Sequence, residues 1–201
     1  MESDLISARR TEIIKAALKI VSEKGYHAAK IEDIANELKI GHGTFYRYFK
    51  SKLDVFNHIV EYIVQVVAGL VREIDPKGAN SLEDYRAQLD MIGDYLFGVF
   101  KDNPEFAKVL FFEAYSIDDG AVKARIKQIF DLFGGYTAMY LRNGIDKGYL
   151  RADIHVPEMA LAINGALFEA CRRVVSVEDP DQALGVWKET IIGLMLDGMK
   201  A

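Results

Sequence analysis

The 201-residue chain has one cysteine, four prolines and four histidines, and each scarcity excludes something. A lone Cys171 cannot build a disulfide within the chain, which fits a reducing cytoplasm, the expected location. It lies in the apolar run Ala-Leu-Phe-Glu-Ala-Cys, where a buried structural thiol is expected. The histidines at 27, 42, 58 and 155 have no metal-ligand spacing, so neither metal nor cofactor is expected. No apolar run approaches the ~18 residues of a membrane span. The N-terminus lacks the basic start and apolar stretch of a signal peptide. Nothing alternates with period two for long enough to make a sheet, and no repeat or low-complexity tract is present. No nucleophile–base pair, metal set or phosphate loop is visible, so no enzyme is expected.

What is present is helix. Half of the residues are hydrophobic, and they recur at helical spacing. Ile13, Ala17, Ile20 and Val21 make one stripe, in a helix expected from about Ser7 to Gly25, with Gly25 suited to a left-handed stop. Ile31, Ile34, Ala35 and Leu38 make a second, with Glu32 and Asp33 in its first turn. Lys39 to Gly41 reads as a turn, and His42 to Phe49 as a third helix anchored by Phe45 and Phe49. Ser51 can cap a fourth, whose stripe Phe56, Ile59, Val60, Ile63, Val67 and Leu70 carries it to about Ile74. Further helices are expected over Leu82–Lys101, Glu105–Tyr115, Ala121–Lys147 (irregular at Gly134-Gly135), Pro157–Val175 and Pro180–Met199. The fold class is all-α in two parts. Residues 1–52 form a three-helix head with a helix-turn-helix at about 31–50. Residues 53–201 form a helical body, the helix at 53–74 bridging the two.

Charge divides the same way. The net charge is −5. Residues 1–52 hold ten Lys and Arg against seven Asp and Glu; residues 53–201 hold fifteen against twenty-three. A basic module joined to an acidic one is the simplest account. The stretch from Ile40 to Lys52 concentrates the chemistry: two glycines, a histidine, a hydroxyl, two tyrosines and three cations, directly after a helix. Such side chains contact phosphates and base edges. Gly41 and Gly43 keep the helix start lean, so that its backbone can approach DNA. Thr44, Tyr46 and Tyr48 offer hydroxyls to phosphates. Arg47 can reach a phosphate or a guanine edge, and His42 a base edge. Lys52, at the start of the fourth helix, and Lys30, before the second, are placed to attract phosphates.

Residues 9–60 resemble the N-terminal domain of the tetracycline-repressor (TetR) family of bacterial transcription regulators. The resemblance rests on Ile13-Ile14-Lys15-Ala16-Ala17, Gly25-Tyr26, Ile34-Ala35 and, above all, Gly43-Thr44-Phe45-Tyr46-Arg47-Tyr48-Phe49-Lys50-Ser51-Lys52. The chain departs from the family pattern at Lys30, where Thr is frequent, at Leu38-Lys39, where Ala-Gly is usual, and at Gly41, where Ser is favoured. The resemblance implies a homodimer whose reading helices enter successive major grooves of a palindromic double-stranded operator. It also implies a C-terminal domain that binds a small-molecule effector and then moves the reading heads apart.

In the C-terminal part, rings are dense between residues 95 and 140. Phe97, Phe100, Phe111, Phe112, Tyr115, Phe130 and Phe133, with Asn164 and Phe168, are the candidates for lining an apolar or aromatic effector pocket. Rings at helical spacing also serve as plain core, so the sequence does not separate the two uses. The last two helices carry Leu161, Gly165, Trp187, Ile191, Leu194 and Met195, more apolar than a solvent-facing pair needs. In the family these helices pair across the dimer. The function that follows is a ligand-responsive repressor. The competing interpretation is an all-helical carrier of a hydrophobic molecule with a vestigial DNA-binding head.

Overall fold

The computed structural model describes residues 2–69, 74–174 and 177–201, with side chains described from residue 7 onward. Among them the regular structure is helical, and the only strand-like pairing is an isolated bridge between Leu150 and Lys200. The helices are α1 (Glu2–Lys24), α2 (Ile31–Glu37), α3 (His42–Tyr46), α4 (Lys52–Val67), α5 (Leu82–Asp102) and α6 (Pro104–Lys108). A π-helical turn (Val109–Glu113) joins α6 to α7 (Ala114–Ser116), and α8 (Gly120–Asp146), α9 (Val156–Val174) and α10 (Pro180–Met199) follow.

Packing divides the chain into two compact units. One is Met1–Val66 with Glu105–Lys123, the other Val67–Pro104 with Ala124–Ala201. This partition is not the division at residue 52. Most of α4, and the segment around the π-helical turn, pack with the first three helices. The core of the first unit explains why. Ile13, Ala17 and Val21 of α1, Ile34 of α2, Phe45 and Phe49, Phe56, Ile59 and Ile63 of α4, and Phe106 and Val109 are all buried together. Burying a side chain of this size is worth roughly 1.5–3 kcal/mol, so α2 and α3, too short to persist alone, are held by tertiary packing.

Local chemistry sets the element ends. Gly25 stops α1 at φ +81°, a conformation that costs glycine little. Asp33 accepts a hydrogen bond from the backbone N–H of Lys30 (2.9 Å) and an ion pair from Lys24 (2.7 Å), which together hold its carboxyl below its ordinary pKa. Ser51 accepts from the N–H of Asp54 (3.1 Å), and Asp54 accepts from that of Lys50 (2.8 Å), so the start of α4 is tied to the residues before it. Lys39, in the turn, adopts φ +52°. For a residue with a Cβ that left-handed state costs roughly 1–2 kcal/mol, which the glycine usual in the family pattern would avoid.

Several element boundaries differ from the sequence-based expectation. The third helix ends at Tyr46, and the chain continues through a turn in which the N–H groups of Tyr48 and Phe49 donate to the Phe45 carbonyl (2.9 and 3.1 Å). Helix α4 ends at Val67; Leu70, expected on its stripe, and Val175, expected to end α9, lie outside the described residues. Gly134-Gly135 does not interrupt α8, which runs unbroken from Gly120 to Asp146. The helix expected over Glu105–Tyr115 contains the π-helical turn, and this wider turn re-aims Glu113. Its Oε2 accepts from the backbone N–H of Tyr26 (2.7 Å), directly after the end of α1.

The second unit is built from α5, most of α8, α9 and α10. Its buried side chains include Tyr85, Phe97, Phe100, Leu141, Ile163, Leu184 and Ile192, together with Cys171, whose thiol pKa burial pushes up. Helices α5 and α10 are bridged by Lys188–Asp94 (2.7 Å), Arg86–Glu189 (3.0 Å) and Lys101–Asp181 (2.5 Å). Buried Asn143 donates to the Ala79 carbonyl and the Tyr149 hydroxyl (both 2.9 Å), fixing the loop before α5 to the end of α8.

Candidate nucleic-acid interface and ligand cavity

Helix α3 is two-sided. Phe45, and Phe49 just beyond it, are fully buried, while Gly41, His42, Gly43, Tyr46, Arg47 and Lys50 are exposed and Thr44 and Tyr48 are half-buried. Tyr46 stands 54% exposed with its ring edge-on to Phe45 (5.6 Å), so its base is braced and its hydroxyl is in solvent. Among the described residues, no ion pair or hydrogen bond engages the side chains of Lys30, Lys39, His42, Arg47 or Lys50. Elsewhere in this unit Arg9 is paired with Glu12, Lys19 with Glu37 and Lys24 with Asp33. Lys30, Lys39, Arg47 and Lys50 are thus a group of uncompensated cations flanking α2 and α3 in sequence. A Cβ built on Gly41 or Gly43 meets nothing within 4 Å, so the protein's own packing does not require either glycine.

Lys52 departs from its expected role. Its ammonium donates to the carbonyls of Tyr26 (2.7 Å), Ala29 (2.9 Å) and His27 (3.2 Å) and lies 4.5 Å from the centre of the Tyr26 ring. All three of its protons are engaged, and desolvation lowers its pKa. Carbonyls in the link between α1 and α2 need donors, and Lys52 supplies them. It is a clamp on the α1–α2 link rather than a phosphate ligand. Lys30, His42 and Lys52 do border one shallow surface concavity with Ala29, Ile31 and Glu32. His58 reinforces the unit from the other side: its Nε2 faces Arg10 (2.5 Å) and its Nδ1 faces Glu61 (2.8 Å), linking α1 to α4.

The second unit encloses a cavity of about 90 Å³. Tyr85, Leu89, Ile92, Leu96 and Phe97 line it from α5, Phe133, Tyr136, Thr137 and Tyr140 from α8, Ile163, Asn164, Leu167 and Phe168 from α9, and Lys188, Ile191, Ile192 and Met195 from α10. Phe168 meets Phe133 edge-on (5.8 Å), and Phe130 likewise (4.9 Å) from outside the lining. The polar groups are few. Thr137 Oγ1 donates to Asn164 Oδ1 (2.9 Å), and the Tyr140 hydroxyl, its pKa raised to about 12 by burial, donates to the Ile74 carbonyl (3.2 Å). Lys188 is paired with Asp94 (2.7 Å), whose hydrogen bond holds the ammonium above its ordinary pKa.

Residues 13–59 match the family model for bacterial regulatory proteins of the tetR family. The head of the chain is a tetR-family domain. It is 35% identical over 80 residues to the uncharacterized HTH-type transcriptional regulator YuxN of Bacillus subtilis, covering 40% of this chain and 28% of that protein. It is 22% identical over 181 residues to the nucleoid occlusion factor SlmA of a Marinomonas species, 90% of each chain. In fold it is similar to the transcriptional regulator FadR from Bacillus subtilis, solved in complex with stearoyl-CoA, with a TM-score of 0.79 at 23% identity over 94% of this chain and 98% of that one.

The tetR-family head is thus a helix-turn-helix of α2 and α3 in a DNA-binding transcription regulator. In the body, the structure redistributes the residues expected from sequence. Phe97, Phe133, Asn164 and Phe168 line the cavity. Phe100 is buried in the core beside it and Phe130 backs Phe168, so neither is part of the lining. Phe111, Phe112 and Tyr115 belong to the other unit, where Phe112 (46%) and Tyr115 (60%) are exposed.

Of the six dimer candidates, Ile191 and Met195 turn inward and line the cavity, a correction that follows from the helical phase of α10. Trp187 is half-buried beside Val177, Ala183 and Val186. Leu161 (54% exposed), Gly165 and Leu194 (72% exposed) face outward on α9 and α10, with Val186. The lining residues that sequence reasoning missed, Tyr85, Thr137 and Lys188 among them, carry no local signal. Each sits in an ordinary amphipathic stretch, and only the meeting of four helices makes it a wall.

Proposed function

We propose that the protein is a homodimeric transcriptional repressor that holds a palindromic operator through α3 and releases it when a small, mainly apolar effector occupies the cavity. One observation carries this reading: α3 and the turn after it expose His42, Arg47 and Lys50 with no side-chain hydrogen bond or ion pair, beside the exposed Tyr46, in a chain of net charge −5. Unpaired cations beside a braced helix suit a polyanion. Arg47 and His42 are assigned to base edges, and Thr44, Tyr46, Tyr48 and Lys30 to phosphates. The exposed Leu161, Gly165 and Leu194 supply a face for a second copy. The ring-lined cavity supplies the effector site. An effector acts only through its different affinity for the DNA-bound and DNA-free states, so ligand and operator oppose each other.

Fluorescence anisotropy on DNA from upstream of the protein's own coding region tests the reading. Specific binding that weakens steeply with salt is expected, and Tyr46→Phe is expected to weaken it several-fold while the melting temperature stays unchanged. Absence of salt-sensitive binding, with hydrophobic ligands still bound, would make the protein a carrier instead.

A further inference from the structure

The cavity holds two buried polar atoms that the protein leaves without a hydrogen-bond partner: the Tyr85 hydroxyl and Asn164 Nδ2. Tyr85 is fully buried and Asn164 only 5% exposed. Leaving such a group unpaired costs roughly 1–3 kcal/mol, so unpaired groups of this kind are uncommon in folded proteins and mark places where something else binds. Both are donors here. Thr137 already occupies Asn164 Oδ1, which leaves the amide N–H free. Burial raises the Tyr85 pKa, so its hydroxyl keeps its proton. The rest of the lining is aliphatic or aromatic, apart from Tyr95, Tyr136, Tyr140 and Lys188. Lys188 is the one cation among the lining residues, and Asp94 (2.7 Å) and Asp90 (3.5 Å) already neutralise it. An anion entering this cavity finds no free counter-charge and loses its hydration, a cost of several kcal/mol.

We infer that the effector is an uncharged, mainly apolar molecule carrying a carbonyl-type acceptor, which takes hydrogen bonds from Asn164 Nδ2 and the Tyr85 hydroxyl. This rests on the proposed regulator only for the statement that the cavity is an effector site. The selection is against charge: a carboxylate or phosphate is excluded by the paired state of Lys188, and a pure hydrocarbon leaves both donors unpaired. At about 90 Å³ the space is below the ~300–1,000 Å³ of typical ligand sites, so the ligand is small or parts the helices on entry.

Three probes of similar size separate the classes on the full-length protein: acetophenone, ethylbenzene and benzoate. Calorimetric titration is expected to give acetophenone an affinity about fivefold or more above ethylbenzene, the worth of one or two net hydrogen bonds, and no binding of benzoate. Asn164→Leu and, separately, Tyr85→Phe are expected to shrink the preference for acetophenone while ethylbenzene binding persists. Persistent ethylbenzene binding reports an intact cavity, and Tyr85→Phe decides the matter if Asn164→Leu does not fold. Benzoate binding as tightly as acetophenone overturns the inference. So does equal binding of acetophenone and ethylbenzene, a preference that survives both substitutions, or failure of all three probes to bind. Operator binding measured alongside keeps the two proposals apart. Acetophenone bound with the operator retained sinks ligand-driven release but leaves the ligand class standing. Benzoate bound with the operator released does the reverse.

Discussion

The exposed side of α3 and the cavity between α5, α8, α9 and α10 use charge in opposite ways. Just after α3 the cations Arg47 and Lys50 are left unspent, and the polar groups on and beside the helix are exposed. Around the cavity almost every nearby charge is consumed: Lys188 by Asp94 and Asp90, Arg86 by Glu189, Lys101 by Asp181. The difference teaches what each region recognises. A polyanion is met by keeping positive charge free, because its phosphates replace water and counterions as partners. A neutral ligand is met by removing charge from the wall and leaving a donor or two unpaired. Net charge hides this. The acidic total comes from acids that are mostly committed to ion pairs or caps, whereas four unpaired cations, Lys30, Lys39, Arg47 and Lys50, flank α2 and α3 in sequence.

The largest test removes the free charge with the best geometry. Arg47→Ala is expected to cost about 2 kcal/mol of operator binding, roughly thirtyfold, with a flatter salt dependence and no loss of thermal stability. Anisotropy titrations at several salt concentrations, beside a thermal melt, measure both. If the melting temperature falls instead, Arg47 is a structural residue and the contrast between the regions collapses.

Lys52 is the exception that sharpens the comparison. It lies in the basic motif, yet its charge is spent inside. Lys52→Met removes three charge-assisted hydrogen bonds from the carbonyls after α1 and is expected to destabilise the fold by roughly 1–3 kcal/mol. For a chain of this length that lowers the melting temperature by a few degrees per kcal/mol. Chemical denaturation is the direct measurement. An unchanged midpoint with weakened operator binding would return Lys52 to the phosphate contacts.

These two residues show how far the sequence was legible. The reading helix was legible because its groups lie within thirteen consecutive residues, where spacing alone decides which side chains share a face. Phe45 and Phe49 fix the inward side, and the outward set follows. The inward turn of Lys52 was not legible, because its partners are carbonyls some two dozen residues earlier, and no side-chain pattern encodes a carbonyl's need. The cavity was half legible. Ring density pointed to Phe97, Phe133 and Phe168, but the phase of α10 decided which other residues reach it. Ile191 and Met195 moved from the outer face to the lining, and Phe111, Phe112 and Tyr115 are not among the lining residues.

A finer test concerns space rather than charge. Gly43 lies inside α3, and a Cβ there touches nothing in the protein. By helix propensity Gly43→Ala is expected to stabilise the fold by about 0.5–1 kcal/mol. If the missing Cβ serves DNA approach, the same change weakens operator binding about tenfold. Opposite shifts in melting temperature and affinity are thus expected of a single methyl group. Parallel shifts would show that the glycine serves the fold.

The smallest effect lies at the spent end of the comparison. Glu169 accepts two hydrogen bonds from Arg172 (both 2.8 Å) and one from Arg173 (2.5 Å), which hold its carboxyl at about 2. The folded pKa lies below the ordinary value of 4.5. Its stabilising contribution is therefore complete above about 4.5 and disappears as pH falls toward 2. The cluster is at the surface, so the contribution is small. Urea midpoints are expected to fall less steeply across that pH window in Glu169→Gln than in the parent, and to differ little at neutral pH. A parent and variant with the same slope would show that Arg172 and Arg173 do not stabilise the carboxylate, and that the contrast in charge between the two regions does not extend to the end of α9.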